Sequence, residues 1–378
     1  MNPEGTLANA FRAVSVGIWC PDDLDDPLEF ATFSIDTLSK ETSLAFAICT
    51  STHCRDVLRY LKQRKIPTIA LISEMASRTK PITAVGEVIA LADHVVVPSR
   101  LVLDDAIATD YLLNSGRNQN IASPLTTGLS LFSGFCEKPI KHSQPHYRLD
   151  TAKSKRFVIL GAGPINYESG VDLFLEVSRL VSAKCQDFDV LFVWADTANA
   201  ENSEQYDAEI KAQIQALGLS NNFLIQSVCD FDLHSTFKEI DVFFLSARLS
   251  TISYIGIEAL KSGIPVVSFD KATVFSERLK DTCYECLYIA DYLSPSSAAS
   301  RIAAIISNSN DLPLLKLTNR HLAKRIFDSH DVTNLISTLI EDGRPNFKTD
   351  FEEITKNKRF DMDFFCKMRL AKEVFVWR

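Results

Sequence analysis

The sequence predicts an α/β protein of two doubly wound domains, the first one abbreviated. Three observations predict it. Short apolar runs alternate with amphipathic stretches along most of the chain, the pattern of parallel strands covered by helices. In the second half those runs are apolar nearly throughout (VIL, VLFVW, VFFL, VVSF), as strands buried on both faces should be. The length of 378 residues suits two domains of ~150 residues and a remainder.

In the first half, the apolar runs predict strands at 13–19, 44–49, 68–72 and 94–97, with helical patterns at 54–63 and 101–113. A stretch rich in Pro, His and Lys, from Cys136 to Lys155, reads as an interdomain linker. We therefore expect a first domain over 1–150 that includes linker residues, and a second over 151–342. In the second, strands are predicted at 156–160, 189–194, 223–226, 241–245 and 265–269. Helices are predicted at 171–182, 203–217, 253–261 and 297–306, with two closing helical patterns at 315–327 and 332–341. After Asp342 the composition turns charged, so 343–378 is expected to be a tail, ending in an aromatic cluster around Phe364, Phe365 and Trp377. No repeat of 20–50 residues is evident.

Composition narrows the function classes. Hydrophobic content is 46%, charged content 23% and the formal net charge −8, a diffuse acidic balance that argues against general nucleic-acid binding, which needs a basic face. A phosphate-bearing ligand stays compatible, because local backbone donors can override net charge. The first residues carry Glu4 and no basic start or long apolar run, so no secretory signal is expected. No run approaches the ~18 apolar residues of a spanning helix. Nine scattered cysteines read as reduced thiols in a cytoplasmic protein. Cys283 and Cys286 form a lone CxxC without a second pair at zinc spacing, so they are expected to be small buried or half-buried residues, and no metal is expected.

Open parallel sheets bind ligands at the carboxyl ends of their strands, and three such places carry polar or glycine residues. At Leu160-Gly161-Ala162-Gly163-Pro164 a strand meets a helix beginning near Gly170. Glycines there let a ligand approach the backbone and the helix start favours an anion; a plain tight turn has the same signature. Leu245-Ser246-Ala247-Arg248 leads through Ser250 and Thr251 to Ser253, an expected N-cap of the helix that carries Glu258, with Gly263 past its end. Glu258 suits either a solvated helix carboxylate or an acceptor for ribose hydroxyls. Gln226-Ser227-Val228-Cys229-Asp230 suits a nucleobase pocket or a capping loop.

In order, the second half reads VILGAGPINYESGVDLFLEV, DVLFVWAD, FLIQSVCDFDLHSTFKEIDVFFLSAR and IEALKSGIPVVSFD. This series resembles the carboxyl half of family-4 retaining glycosyltransferases of the glycosyltransferase B fold, two Rossmann-like domains. The Glu258-Ala259-Leu260 … Gly263-Ile264-Pro265-Val266-Val267 segment carries most of the likeness, supported by Asp241-Val242-Phe243. The likeness covers 156–310. The first half is similar more loosely, through 68–77 and Ala92-Asp93-His94 … Pro98-Ser99. Residues Arg359 to Phe365 resemble a short segment that follows such domains in multidomain polysaccharide-assembly enzymes.

The resemblance implies a metal-independent enzyme without a cofactor. It would transfer a sugar from a nucleoside diphosphate sugar to a glycan or lipid-linked acceptor with retention, in polysaccharide synthesis. A place peripheral to a membrane or within a larger assembly is compatible with it. The implied donor-binding residues are Gly161, Gly163, Arg248, Ser253 and Glu258. The catalytic set is unknown, with Glu74 and Arg248 as the candidates. The chain departs from the family pattern where charge is needed. The basic pair before the first helix becomes Glu168 and Ser169, the first acid of E-x7-E becomes Ser250, and the amino-half His becomes Ser73, with Glu74 kept. A carboxylate at 168 facing a diphosphate would cost ~4 kcal/mol at ~4 Å and an effective dielectric near 20; facing away, it would favour the helix start. Arg248 would be the remaining cation. Ser73, Glu74, Ser99 and Arg100 stand at predicted strand ends, as acceptor-side candidates or as caps. The alternative expectation is a catalytically impaired glycosyltransferase-like domain that binds a nucleotide sugar or scaffolds a partner. A dinucleotide-binding protein is disfavoured, because no acid stands ~20 residues past a clean GxGxxG.

Overall fold

A computed structural model describes residues 26–41, 44, 46–109, 156–197, 204–227, 233–250, 253–280, 282–327 and 374–377. The strand expected at 13–19, the linker 136–155, the helix expected at 332–341 and the aromatics Phe364 and Phe365 lie outside the described residues. The chain divides into two compact units, Met1–Phe135 with Asp328–Arg378, and Cys136–Phe327.

The first unit holds a four-stranded sheet. Strands β1 (Phe46–Cys49), β2 (Thr68–Leu71) and β3 (His94–Val96) run parallel in that order. The last strand of the chain, β10 (Val374–Trp377), adds antiparallel to β1, with Phe46 opposite Trp377. The segment expected as a charged tail thus supplies a sheet edge, and the sheet is mixed where a parallel one was expected. Helices are α1 (Pro27–Glu41), α2 (Arg55–Gln63), α3 (Ala84–Leu91) and α4 (Arg100–Thr109). Asp26 caps α1 by accepting the Leu28 N–H at 2.7 Å. The core is aliphatic, built on Ile48, Leu58, Leu61, Ile69, Val85 and Val95.

The second unit holds a six-stranded parallel sheet in the order β6-β5-β4-β7-β8-β9. Its strands are β4 (Arg156–Gly163), β5 (Asp189–Asp196), β6 (Phe223–Ser227), β7 (Val242–Leu245), β8 (Val266–Phe269) and β9 (Ile289–Ala290). Strands β7 and β8 are buried at every residue. Edge strand β6, paired with β5 alone among the described residues, is half exposed. The helices are α5 (Val171–Lys184), α6 (Glu204–Ala216), α7 (Leu233–Glu239), α8 (Tyr254–Lys261), α9 (Val274–Leu279), α10 (Glu285–Tyr288), α11 (Pro295–Ser307) and α12 (Leu312–Ile326). Helix α5 packs on α11, and α8 on α12.

An aromatic cluster fills this core. The Phe174 ring of α5 contacts Phe192, Trp194, Phe223 and Phe244, with centroids 5.4 to 6.4 Å apart. Phe269 extends the cluster from β8. Such pairs add ~0.5–1.5 kcal/mol each beyond the area they bury. Among the described residues, no helix is long and apolar enough to cross a membrane.

Candidate functional site

The sheet order reverses between β4 and β7, so the chain leaves these adjacent strands toward opposite sides. The crevice beyond their carboxyl ends is where such sheets bind ligands. The segments that meet there are 164–170, leading to α5, and 246–250, which follows β7. Gly161 and Gly163 lie on β4, Arg248 and Ser253 between β7 and α8, and Glu258 on α8.

The glycines sit differently from the sequence expectation. Gly161, Ala162 and Gly163 belong to β4 and pair with Trp194, Ala195 and Asp196 of β5. The turn starts only at Pro164, because β5 runs to Asp196 and offers ladder partners that far. A Cβ on Gly161 would come within 2.7 Å of the Phe174 ring and 2.8 Å of Trp194. Glycine is therefore required at 161 by the aromatic core. A Cβ on Gly163 would meet Ser169 at 2.8 Å, and its carbonyl accepts the Trp194 indole N–H at 3.0 Å.

The 164–170 turn is closed by Ser169 N–H donating to Asn166 Oδ1 at 2.8 Å. It ends at Gly170, whose φ of 71° is left-handed and which caps α5. A Cβ there would stand 2.1 Å from the Ser246 carbonyl oxygen, so glycine is needed both for backbone conformation and for close approach of the second loop. Three hydrogen bonds then join the loops through backbone atoms. Ser246 Oγ donates to Ser169 O at 3.0 Å, Arg248 N–H to Glu168 O at 3.0 Å, and Arg248 Nη1 to Tyr167 O. Glu168 itself is exposed.

The Arg248 guanidinium makes a two-pronged pair with Asp172 of α5, at 2.9 and 2.5 Å. It lies 3.7 Å above the Tyr167 ring, and its side chain is only 11% exposed. The hydrogen bond to Asp172 raises the arginine pKa further above its ordinary value. Tyr206 of α6 completes the cluster; burial first, then Asp172, pushes its phenol up to about 12. The cation expected to face phosphate is thus neutralised by a carboxylate. Asp172, Tyr167 and Tyr206 escaped the sequence reading. An aspartate in the first turn of a helix reads as an ordinary favourable charge on the helix dipole, and no spacing links position 172 to 248.

Ser253 caps α8 as expected, accepting the Gly256 N–H at 3.2 Å. Glu258, one turn on, is half buried and pairs with Lys261 at 3.0 Å. The helix ends with Ile264 N–H donating to Ala259 O and Gly263 N–H to Leu260 O, both at 2.9 Å, a Schellman closure with Gly263 left-handed at φ 95°. Asn319 of α12 donates to the Gly263 carbonyl at 3.0 Å and accepts from the buried Tyr288 hydroxyl. Ser250 pairs with Thr273, joining the second loop to the segment after β8. Gln226 and Ser227 end β6; residues 228–230 lie outside the described residues.

In the first unit, Glu74 accepts the N–H of Thr52 at 3.2 Å and that of Ser73 at 3.1 Å, tying together the segments that follow β1 and β2. Ser99 is fully buried and caps α4 through the Val102 N–H at 3.3 Å. Arg100 pairs with Asp104 on the surface. Cys283 and Cys286 are exposed, contrary to expectation, because they lie in a surface turn and the one-turn helix α10. Among the described residues, no three His, Cys, Asp or Glu side chains group to hold a metal.

Comparison with known proteins bears on this geometry. Residues 145–320, which contain both switch-point loops, match the group 1 glycosyl transferases. No curated protein matches the chain. Among solved structures, HepE of Anabaena in complex with UDP and glucose superposes with a TM-score of 0.62 at 14% identity, over 83% of this chain and 82% of HepE. Sucrose-phosphate synthase of Thermosynechococcus elongatus gives 0.60 at 13%, over 87% and 82%. A glycosyltransferase from Rickettsia africae gives 0.61 at 12%, over 90% and 88%. The fold is the glycosyltransferase B fold. The group 1 segment spans β4 to α12, so the switch-point wiring described above lies wholly inside it.

Proposed function

We propose that this protein is a glycosyltransferase that takes its sugar from a nucleoside diphosphate donor. The observation that carries the reading is the topological switch point between β4 and β7, whose two loops lie inside the segment matched to the group 1 glycosyl transferases. That HepE has been crystallised with UDP and with UDP-glucose makes uridine nucleotides the first ligands to try. In this reading the diphosphate lies beyond the carboxyl end of β4, past Gly163, while Gly161 belongs to the aromatic core beneath it. Ser253 holds the start of α8, and Glu258 exchanges Lys261 for the two ribose hydroxyls. Departing diphosphate accumulates charge in the transition state and needs preorganised donors. Family-4 membership, retention, metal independence, a glycan or lipid-linked acceptor, a role in polysaccharide synthesis and a cytoplasmic site belong to the same proposal and rest on the sequence resemblance. Glu74, held by two backbone N–H groups, is the amino-half candidate.

One observation favours a second reading, an impaired domain that binds the nucleotide without turnover. Arg248 is already neutralised by Asp172, and Glu168 and Ser169 stand where the family carries bases. Calorimetry with a panel of nucleoside diphosphates and their sugars, with Glu258→Ala as control, tests both readings. We expect the parent to bind a uridine nucleotide and Glu258→Ala to bind more weakly by roughly tenfold, the loss of one or two hydrogen bonds. No binding by the parent at large ligand excess sinks both readings. Binding without sugar transfer or donor hydrolysis sinks the enzyme and leaves the impaired domain.

A further inference from the structure

Arg248 is a cation at the switch point, and its placement argues against direct contact with phosphate. A guanidinium that serves a diphosphate must present its N–H groups to the ligand. Here the two-pronged face is taken by the Asp172 carboxylate, a third bond goes to the Tyr167 carbonyl, and one flat face is covered by the Tyr167 ring. Charge-assisted, two-pronged bonds of this kind are about twice as strong as neutral ones and fix geometry in two directions. The pair is also sheltered, at 11% exposure for Arg248 and 29% for Asp172, so solvent screens it less than a surface pair. Turning Arg248 toward a donor would leave the carboxylate uncompensated at the start of α5.

The connections made by the pair suggest a different task. Asp172 is on α5, Tyr167 on the turn before it, and Arg248 on the loop after β7. Its backbone N–H holds Glu168 O while its side chain holds Tyr167 O, so one residue grips two successive carbonyls of the turn. Ser246 holds the next carbonyl, that of Ser169. Three consecutive peptide groups, those with carbonyls 167 to 169, are thus held from the neighbouring loop, while within the turn the Ser169 N–H donates to Asn166 Oδ1 and the Gly170 N–H to Tyr167 O.

We propose that Arg248 and Asp172 form a positioning pair that locks the 164–170 turn onto the 246–250 loop and so fixes the shape of the turn beside which the donor diphosphate lies. This deepens the donor-binding reading above and rests on it for its ligand. The pair acts through the turn; neither side chain touches the donor.

The two possible roles of Arg248 predict opposite signs for one substitution. If Arg248 were a phosphate ligand, removing the competing carboxylate with Asp172→Asn would free it and tighten UDP binding. As a positioning pair, Asp172→Asn and Arg248→Met each weaken UDP binding by roughly tenfold, the scale for residues that act without ligand contact, and the double variant is no weaker than either single one. Arg248→Lys keeps the charge but cannot make the two parallel bonds or the ring stacking, so it does not restore affinity. UDP calorimetry on the four variants reads these outcomes. Unchanged or tighter binding by Asp172→Asn, or full affinity in Arg248→Lys, overturns the proposal. Amide hydrogen exchange on the free protein gives a second readout that needs no ligand. Faster exchange at 164–170 in Asp172→Asn, with β4 and β7 still protected, is expected. Unchanged exchange there overturns the pairing role even if the parent binds no UDP, whereas loss of UDP binding in the parent alone overturns the donor reading.

Discussion

Asp93 in the first unit and Asp241 in the second stand one residue before a strand and do the same local work. The Asp93 carboxylate accepts the Thr68 N–H at 2.8 Å and its hydroxyl at 3.0 Å, joining β3 to β2. The Asp241 carboxylate accepts the Val158 N–H at 3.1 Å, joining β7 to β4. Their surroundings differ. Asp93 is exposed beside the terminal strand β3 of its sheet, whereas Asp241 is 2% exposed beneath the middle of a six-stranded one. An identical device therefore has water as a substitute in one unit and none in the other. The loops at the opposite, carboxyl ends diverge further. In the first unit the carboxylate of Glu74 gathers backbone N–H groups, and in the second Arg248 gathers backbone carbonyls and a carboxylate.

The largest test of this contrast concerns the cores. Phe174→Ala removes the ring that touches four other aromatics, and is expected to destabilise the second unit by ~3–5 kcal/mol in chemical denaturation. The aliphatic first unit contains none of these contacts and should keep its exchange protection. An effect under ~1 kcal/mol would show that the cluster relaxes around the cavity and does not anchor the unit. Next in size is the aspartate pair. Asp241→Ala leaves a buried N–H without its partner and should cost ~1–3 kcal/mol, while Asp93→Ala, where water enters, should cost ~0.5–1.5 kcal/mol. Equal costs would break the comparison.

The smallest effect is in alkaline stability. Tyr206 has its folded pKa raised to about 12 from an unfolded value of ~10. The folded state then holds a proton that the unfolded state has lost, so stability is full below pH ~10 and declines as pH rises toward ~12. Nuclear magnetic resonance of ring-labelled tyrosine should show this late titration, and Asp172→Asn should bring it earlier by removing the neighbouring negative charge. A Tyr206 that titrates near pH ~10 in the parent would place it outside the Arg248 cluster.

Much of the second unit was legible because its signals are local. The apolar runs marked β4, β5, β7 and β8, Ser253 marked the start of α8, and Gly263 marked its end; each depends on neighbours within a few residues. The two-residue strand β9 and the terminal strand β10 were not read as strands; β9 is too short to carry a period, and β10, at the end of a charged segment, is a strand by its pairing with the distant β1. In the first unit the apolar runs likewise marked β1, β2 and β3, whereas helices α1 and α3 were not read.

The candidate site divides along that line. Taken alone, the sequence determined that Gly161, Gly163, Arg248, Ser253 and Glu258 stand at strand ends and helix starts, because apolar runs and helix caps are written in short-range patterns. Only the tertiary structure decided what those residues do. Gly161 is glycine because Phe174 and Trp194 close over it, Asn319 reaches back to the Gly263 carbonyl, and Arg248 meets Asp172 from 76 positions away in sequence. Each of these contacts is a matter of which long-range partner arrives first at a buried hydrogen-bonding group or gap. That competition is settled by packing between elements and leaves no trace in local spacing.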